Sequence, residues 1–253
     1  MSDTSVQPVG ESTPGLSQLE RVTSTFTAPS KTFTDIKNGH KAWWLPFLIY
    51  VVLGYVFFFA ANSKIGMRQI MENQIHLSPK AEEQMQALTP EQREGRMKIS
   101  TYVTEGIFLA TPVFLIVMGL IISGVMLGTI NFGFGGRAKF GSMLSVWMYA
   151  MLPSIFKTLL GIVVIYAGAA PESFNIKNFA PTNVGAFLNP LEVGPAIYSL
   201  ATSIDIVTIW TLVLVGIGTA TVAGVKRSSG YIAAFGWWIL VVLIGTGWNA
   251  AFS

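Results

Sequence analysis

Lys157 and Asp205 carry the chemistry that stands out, because each interrupts a long apolar stretch that otherwise holds no ionised group. An unpaired cation at mid-bilayer costs about 2.5–3.5 kcal/mol on insertion scales, so Lys157 needs a partner or an exit to water. Two arrangements satisfy it. In one, the long lysine stem reaches Asp205 and the two form an intramembrane polar pair; in the other, Lys157 snorkels to the headgroups while Asp205 caps its own helix beside Ser203. Catalytic parts are otherwise missing. The chain holds no HExxH, GxxxxGK[ST] or GxSxG, His40 and His76 are isolated outside the apolar stretches, and there is no cysteine. Neither a catalytic, a metal nor a cofactor site is expected from those residues.

The elements that must position Lys157 and Asp205 are the apolar stretches themselves, near 42–62, 107–130, 142–168, 204–224 and 231–252. A hydrocarbon core of about 30 Å needs roughly 20 apolar residues in a helix, which each stretch supplies. Composition agrees, since 51% of residues are hydrophobic and 11% charged, against about 25% charged in a soluble domain. Backbone groups in lipid must be satisfied within the segment, and these runs are too continuous for the alternation of an outer-membrane barrel. The predicted fold is an all-α, polytopic integral membrane bundle of five transmembrane helices with N-terminal interfacial helices. Pro112 and Pro153 are expected to kink the second and third spans, and either mark a conduction path or shape packing. Gly119, Gly124, Gly128, Gly216, Gly218 and Gly224 offer small faces for close helix contact.

The chain divides into a tail over 1–15, rich in Ser, Thr, Pro and Gly and expected to be disordered, an amphipathic segment over 16–41, and a membrane domain over 42–253. Leu16, Leu19, Val22 and Phe26 form one helical stripe, and Phe33 with Ile36 form a second after Pro29. These faces either lie on the membrane surface or pack against the bundle. Lys41, Trp43 and Trp44 read as interface anchors at the start of the first span. Thr89-Pro90 with Gln92, and Ser78-Pro79, read as helix starts in the polar connection 63–106. Two short glycine-bearing loops hold Arg137 with Lys139 and Lys226 with Arg227, which are candidate contacts to anionic lipid headgroups. The net charge of +3 therefore reads as a topology signal at span ends, with no nucleic-acid partner expected. Short-loop basic residues place the N-terminus in the cytoplasm and the C-terminus outside.

Three stretches taken together resemble the Yip family of membrane proteins, named for interaction with Ypt/Rab GTPases, and its prokaryotic members above all. They are Phe26-Thr27-Ala28-Pro29-Ser30-Lys31-Thr32-Phe33 with Asp35-Ile36-Lys37 and Trp43-Trp44-Leu45-Pro46; Phe134-Gly135-Gly136-Arg137-Ala138-Lys139-Phe140 leading to Tyr149-Ala150-Met151-Leu152-Pro153; and Ser203-Ile204-Asp205-Ile206-Val207-Thr208-Ile209-Trp210 followed by Lys226. The resemblance implies a five-helix membrane domain with a cytoplasmic N-terminus. For eukaryotic relatives it implies vesicle traffic through prenylated small GTPases, but the Asp-Leu-Tyr-Gly-Pro signature near the first span is absent here. The expected role is that of a non-enzymatic scaffold or membrane-organising factor in the bacterial cytoplasmic membrane, in contact with lipids and with a protein partner or a second copy. The alternative is a small transporter or channel subunit using Lys157 and Asp205.

Overall fold

Among the described residues five helices are long and apolar enough to cross a membrane: Trp44–Lys64, Thr111–Gly133, Phe140–Tyr166, Ile206–Ala223 and Arg227–Ala251. The protein is seen here as a computed structural model that describes residues 15–168 and 170–252. The disordered tail expected over 1–15 falls outside the described residues except at Gly15. Two amphipathic helices come first, α1 (Gln18–Thr27) and α2 (Pro29–Lys37). Ser17 and Glu20 close a capping box that starts α1, and Pro29 opens α2 at its first helical position, where its missing N–H costs nothing. Of the two placements open to these helices, α2 takes the one against the bundle. Phe33 and Ile36 are fully buried there, and Gly218, lacking a Cβ, leaves room for the Phe33 ring beside Val146.

The first span is α3 (Trp44–Lys64), followed by α4 (Met67–His76), α5 (Pro79–Gln86) and α6 (Pro90–Leu109). The two cap signals at Ser78 and Thr89 start α5 and α6, and Gln92 completes the box at Thr89. The second span is α7 (Thr111–Gly128), prolonged by a π turn over Thr129–Gly133. It begins four residues later than the apolar pattern begins, because Pro112 cannot donate to the preceding turn and the chain breaks at Ala110. The Thr111 hydroxyl donates to the Phe108 carbonyl at 2.6 Å and satisfies the acceptor that the break would orphan. The third span is two helices, α8 (Phe140–Ala150) and α9 (Ser154–Tyr166), separated by a turn that ends at Pro153.

Beyond α9 the segment 170–205 folds back through two short 3-10 turns, α10 (Pro190–Val193) and α11 (Pro195–Ser203). It sits with α4 at the far end of the bundle, where the Asn73 amide donates to the carbonyls of Pro171 and Phe174 at 2.6 and 3.0 Å. The fourth span, α12 (Ile206–Ala223), is the most buried and packs against α2, α8, α9 and the fifth span, α13 (Arg227–Phe252). Gly224 closes α12 in the left-handed conformation that glycine adopts without penalty. The α12–α13 hairpin is tight because a Cβ at Gly216 would strike the Tyr231 ring and one at Gly230 would strike the Gly216 carbonyl.

Candidate functional site

Lys157 projects from the first turn of α9, where the turn at Pro153 reorients the third span, and Asp205 stands at the start of α12. Lys157 Nζ lies 3.1 Å from Asp205 Oδ2. The same carboxylate also caps its helix, with Oδ1 accepting from the Thr208 N–H at 2.7 Å. One carboxylate therefore takes both the pair with Lys157 and the helix cap, which the sequence had offered as parts of different arrangements. Thr182 adds a third bond, its hydroxyl donating to Oδ2 at 2.5 Å, while its carbonyl accepts from the Ile206 N–H at 3.1 Å. With Asp205 only 1% exposed, these partners replace the water that an isolated carboxylate would need. Ser203 is not part of the cap, since its hydroxyl donates to the Ser199 carbonyl within α11. Beside the pair, the rings of Phe156 and Trp210 stack at 5.8 Å, and Phe26 of α1 meets both edge-on.

From Asp205 a run of polar side chains leads toward the far end. Asn183 bridges Asp205 through the backbone, its amide donates to Asn178 Oδ1 at 2.7 Å, and the Asn178 amide donates to the Tyr198 hydroxyl at 3.0 Å. Cavities of about 360 and 290 Å³ flank Tyr198 and Asn178. Neutral amides and hydroxyls dominate this route. No group of three or more His, Cys, Asp or Glu suited to a metal ion occurs among the described residues.

A second buried ion pair has no counterpart in the sequence expectations. Arg21 of α1 is 2% exposed, and its Nε donates to Asp35 Oδ2 of α2 at 2.8 Å. Its remaining donors reach the carbonyls of Ala42 and Leu16, each at 3.0 Å. The Tyr149 hydroxyl of α8 donates to Gln18 Oε1 at 2.7 Å, and the Arg21 guanidinium lies 5.7 Å from the Tyr149 ring centroid. The α1–α2 hairpin is thus fastened to the third span through charge-assisted bonds. One sequence signal was present: Arg21 and Thr25, four residues apart, flank the Val22–Phe26 stripe instead of standing opposite it.

The loop cations gather at the other end. Arg137, Lys139, Lys226 and Arg227 are all exposed, and the Arg137 N–H donates to the Ala223 carbonyl at 3.0 Å, which ties the two loops together. Asn131 holds the first loop by bonding both backbone groups of Ala138. Arg227 also reaches Ser30 of α2 at 2.8 Å, so Lys31 joins the same face. At the start of the first span Trp44 is exposed, Trp43 packs edge-on against Phe47, and the Lys41 carbonyl accepts from the Ser145 hydroxyl at 2.6 Å. In the far-end cap, Arg68 pairs with Glu94 at 2.7 Å, and its guanidinium holds the Glu94 carboxyl below the usual carboxylate range.

Comparison with curated proteins and with solved structures returned no match. Among protein families, the Yip1 domain matches residues 23–249, a stretch that takes in α2, all five spans and both buried ion pairs except Arg21. With nearly the whole chain so covered, the protein belongs to the Yip1 domain family, a polytopic all-α membrane protein of that type.

Proposed function

We propose that this protein is a non-enzymatic membrane-organising scaffold that presents its docked α1–α2 hairpin and basic loops as one cytoplasmic platform. The observation that carries this reading is the buried Arg21–Asp35 pair, which joins α1 to α2 while Arg21 also donates to the Tyr149 hydroxyl of α8 at 3.4 Å, so that the hairpin is held to the bundle. A mobile tail has no need of such a pair. The exposed face then combines Lys31, Lys37, Arg137, Lys139, Lys226 and Arg227, an arrangement that suits anionic lipid on the cytoplasmic side and supports an N-in orientation in a bacterial cytoplasmic membrane. Leu19, exposed on the outer face of α1, is an apolar contact for a protein partner or a second copy.

Crosslinking in native membranes tests the platform. Wild type and Leu19→Glu are compared, with Arg21→Met as the variant that loosens the hairpin. A recurrent protein recovered with wild type and lost with both variants supports the scaffold. Equal recovery from all three removes it.

The polar route from Asp205 to Tyr198 and its flanking cavities favour a second reading, a small transporter or channel subunit. Solute flux in liposomes that disappears in Lys157→Met would establish that reading over the scaffold.

A further inference from the structure

At the far end of the bundle, two adjoining cavities of about 280 and 290 Å³ share Gln74, Ser78 and Lys177 as walls. The first lies between α4, α5 and α6. Its charged lining residues are Arg96 and Lys177, and no carboxylate stands in either wall. Among the described residues Lys177 makes no ion pair, and Arg96 bonds only a neutral partner, Gln84 Oε1 at 3.2 Å. Two carboxylates, Glu72 and Glu82, stand beyond the methionine wall, each with a partner of its own. Glu72 is held by Arg68 at 3.1 Å and Glu82 Oε1 lies 3.2 Å from His76 Nδ1, and both border a neighbouring cavity of about 260 Å³ that meets the first across Ile75, Met85 and Met97.

Opposite the two cations the wall is apolar and deformable. Met71, Met85, Met97 and Ile75 line it, and methionine side chains, with three rotatable bonds and a polarisable sulfur, adjust to chains of varied shape. Hydroxyls of Ser78 and Ser100 and the Gln74 amide supply neutral hydrogen-bonding groups between the charged and apolar sides. A pocket with uncompensated positive charge on one side and a methionine wall on the other suits a ligand divided in the same way.

We infer that the pocket between α4, α5 and α6 binds an anionic amphiphile, with a phosphate or carboxylate head against Arg96 and Lys177 and its apolar chain along Met71, Met85 and Met97. This goes beyond the scaffold reading and does not depend on it. Such a head has two sources, a dispersed single-chain amphiphile and a bilayer phospholipid.

The test uses the full chain in a non-ionic detergent with dodecyl phosphate as probe, followed by native mass spectrometry and titration calorimetry. Wild type is expected to take up one dodecyl phosphate saturably. Arg96→Gln and Lys177→Gln each weaken binding about tenfold, and the double variant about a hundredfold. Lys98→Gln, exposed on the same helix, leaves binding unchanged. Met85→Gln weakens dodecyl phosphate while leaving the much weaker binding of inorganic phosphate alone. Lys177 lies in an exposed loop, so its variant keeps the proposal testable where Arg96→Gln loosens the α5–α6 contact. Repeating the titration with phosphatidic acid in nanodiscs separates the sources: uptake from the disc assigns a membrane lipid, and uptake of dodecyl phosphate alone assigns a dispersed one. Unaltered binding in Lys177→Gln, or inorganic phosphate binding as tightly as dodecyl phosphate, overturns the assignment.

Discussion

Asp205 shows how one buried carboxylate is shared among three tasks: a helix cap, a lysine counter-charge and an anchor for the Thr182 loop. Its two partners are unequal in what their loss leaves behind. Lys157→Met leaves a carboxylate that still accepts from Thr182 and Thr208, whereas Asp205→Asn leaves a lysine within the membrane span without its counter-charge. The asparagine variant is therefore expected to be the more destabilised, and the double variant to recover part of the loss. A coupling of about 1–3 kcal/mol should emerge from thermal unfolding of the three variants in detergent, and strict additivity would show that the two groups do not interact. Lys157 and Asp205 were legible in the sequence because charge inside an apolar span has few innocent explanations. Thr182 was not, since it arrives from a loop whose path depends on how α9, α11 and α12 are packed.

Helix positions were legible for a similar reason: lipid imposes a minimum apolar length, and Pro29, Pro79 and Pro90 mark helix starts through their missing N–H, whereas Pro112, expected to kink the second span, opens it instead. The docking of α2 was not, because amphipathic stripes look alike whether they face lipid or protein, and the choice rests on Gly218 and on a pairing between Arg21 and Asp35 that no local period reveals. Element packing makes its own predictions. Gly230→Val places a side chain against the Gly216 carbonyl and should part α12 from α13, at a cost of about 1–3 kcal/mol visible as a lowered unfolding temperature. In the far-end cap, Arg68 ties α4 to α6 through Glu94, whose carboxyl is held below its ordinary range by that guanidinium. A depressed folded-state value means the contact contributes above the unfolded-state titration and is lost as pH falls through the folded one. Acidification through the ordinary glutamate range and below it should loosen α6 from α4, read as faster amide exchange in α6 that Glu94→Gln already shows at neutral pH. Glu94→Gln exchanging no faster than wild type would remove the contact from the account.

At the scale of the whole molecule, the basic loops and the α1–α2 hairpin occupy one end, and α4–α6 with the folded-back segment occupy the other. The absence of cysteine makes this arrangement directly measurable, because single cysteines can be introduced into an otherwise unreactive chain. Lys31→Cys, Arg137→Cys and Lys226→Cys should react with an impermeant thiol reagent only from the cytoplasmic side, and Lys98→Cys only from the opposite side. Labelling of Lys31→Cys and Arg137→Cys from different sides would break the topology. The Lys157–Asp205 contact also bears on how the chain is made. Ribosomes add about 5–20 residues each second, so synthesis of the third span is complete seconds before Asp205 is added. During that interval its lysine has no counter-charge, and the third span depends on its apolar residues alone. Biogenesis of this protein is then a matter of order: a polypeptide released before residue 205 is expected to insert its third span less completely than the full chain, and Lys157→Met to remove that difference.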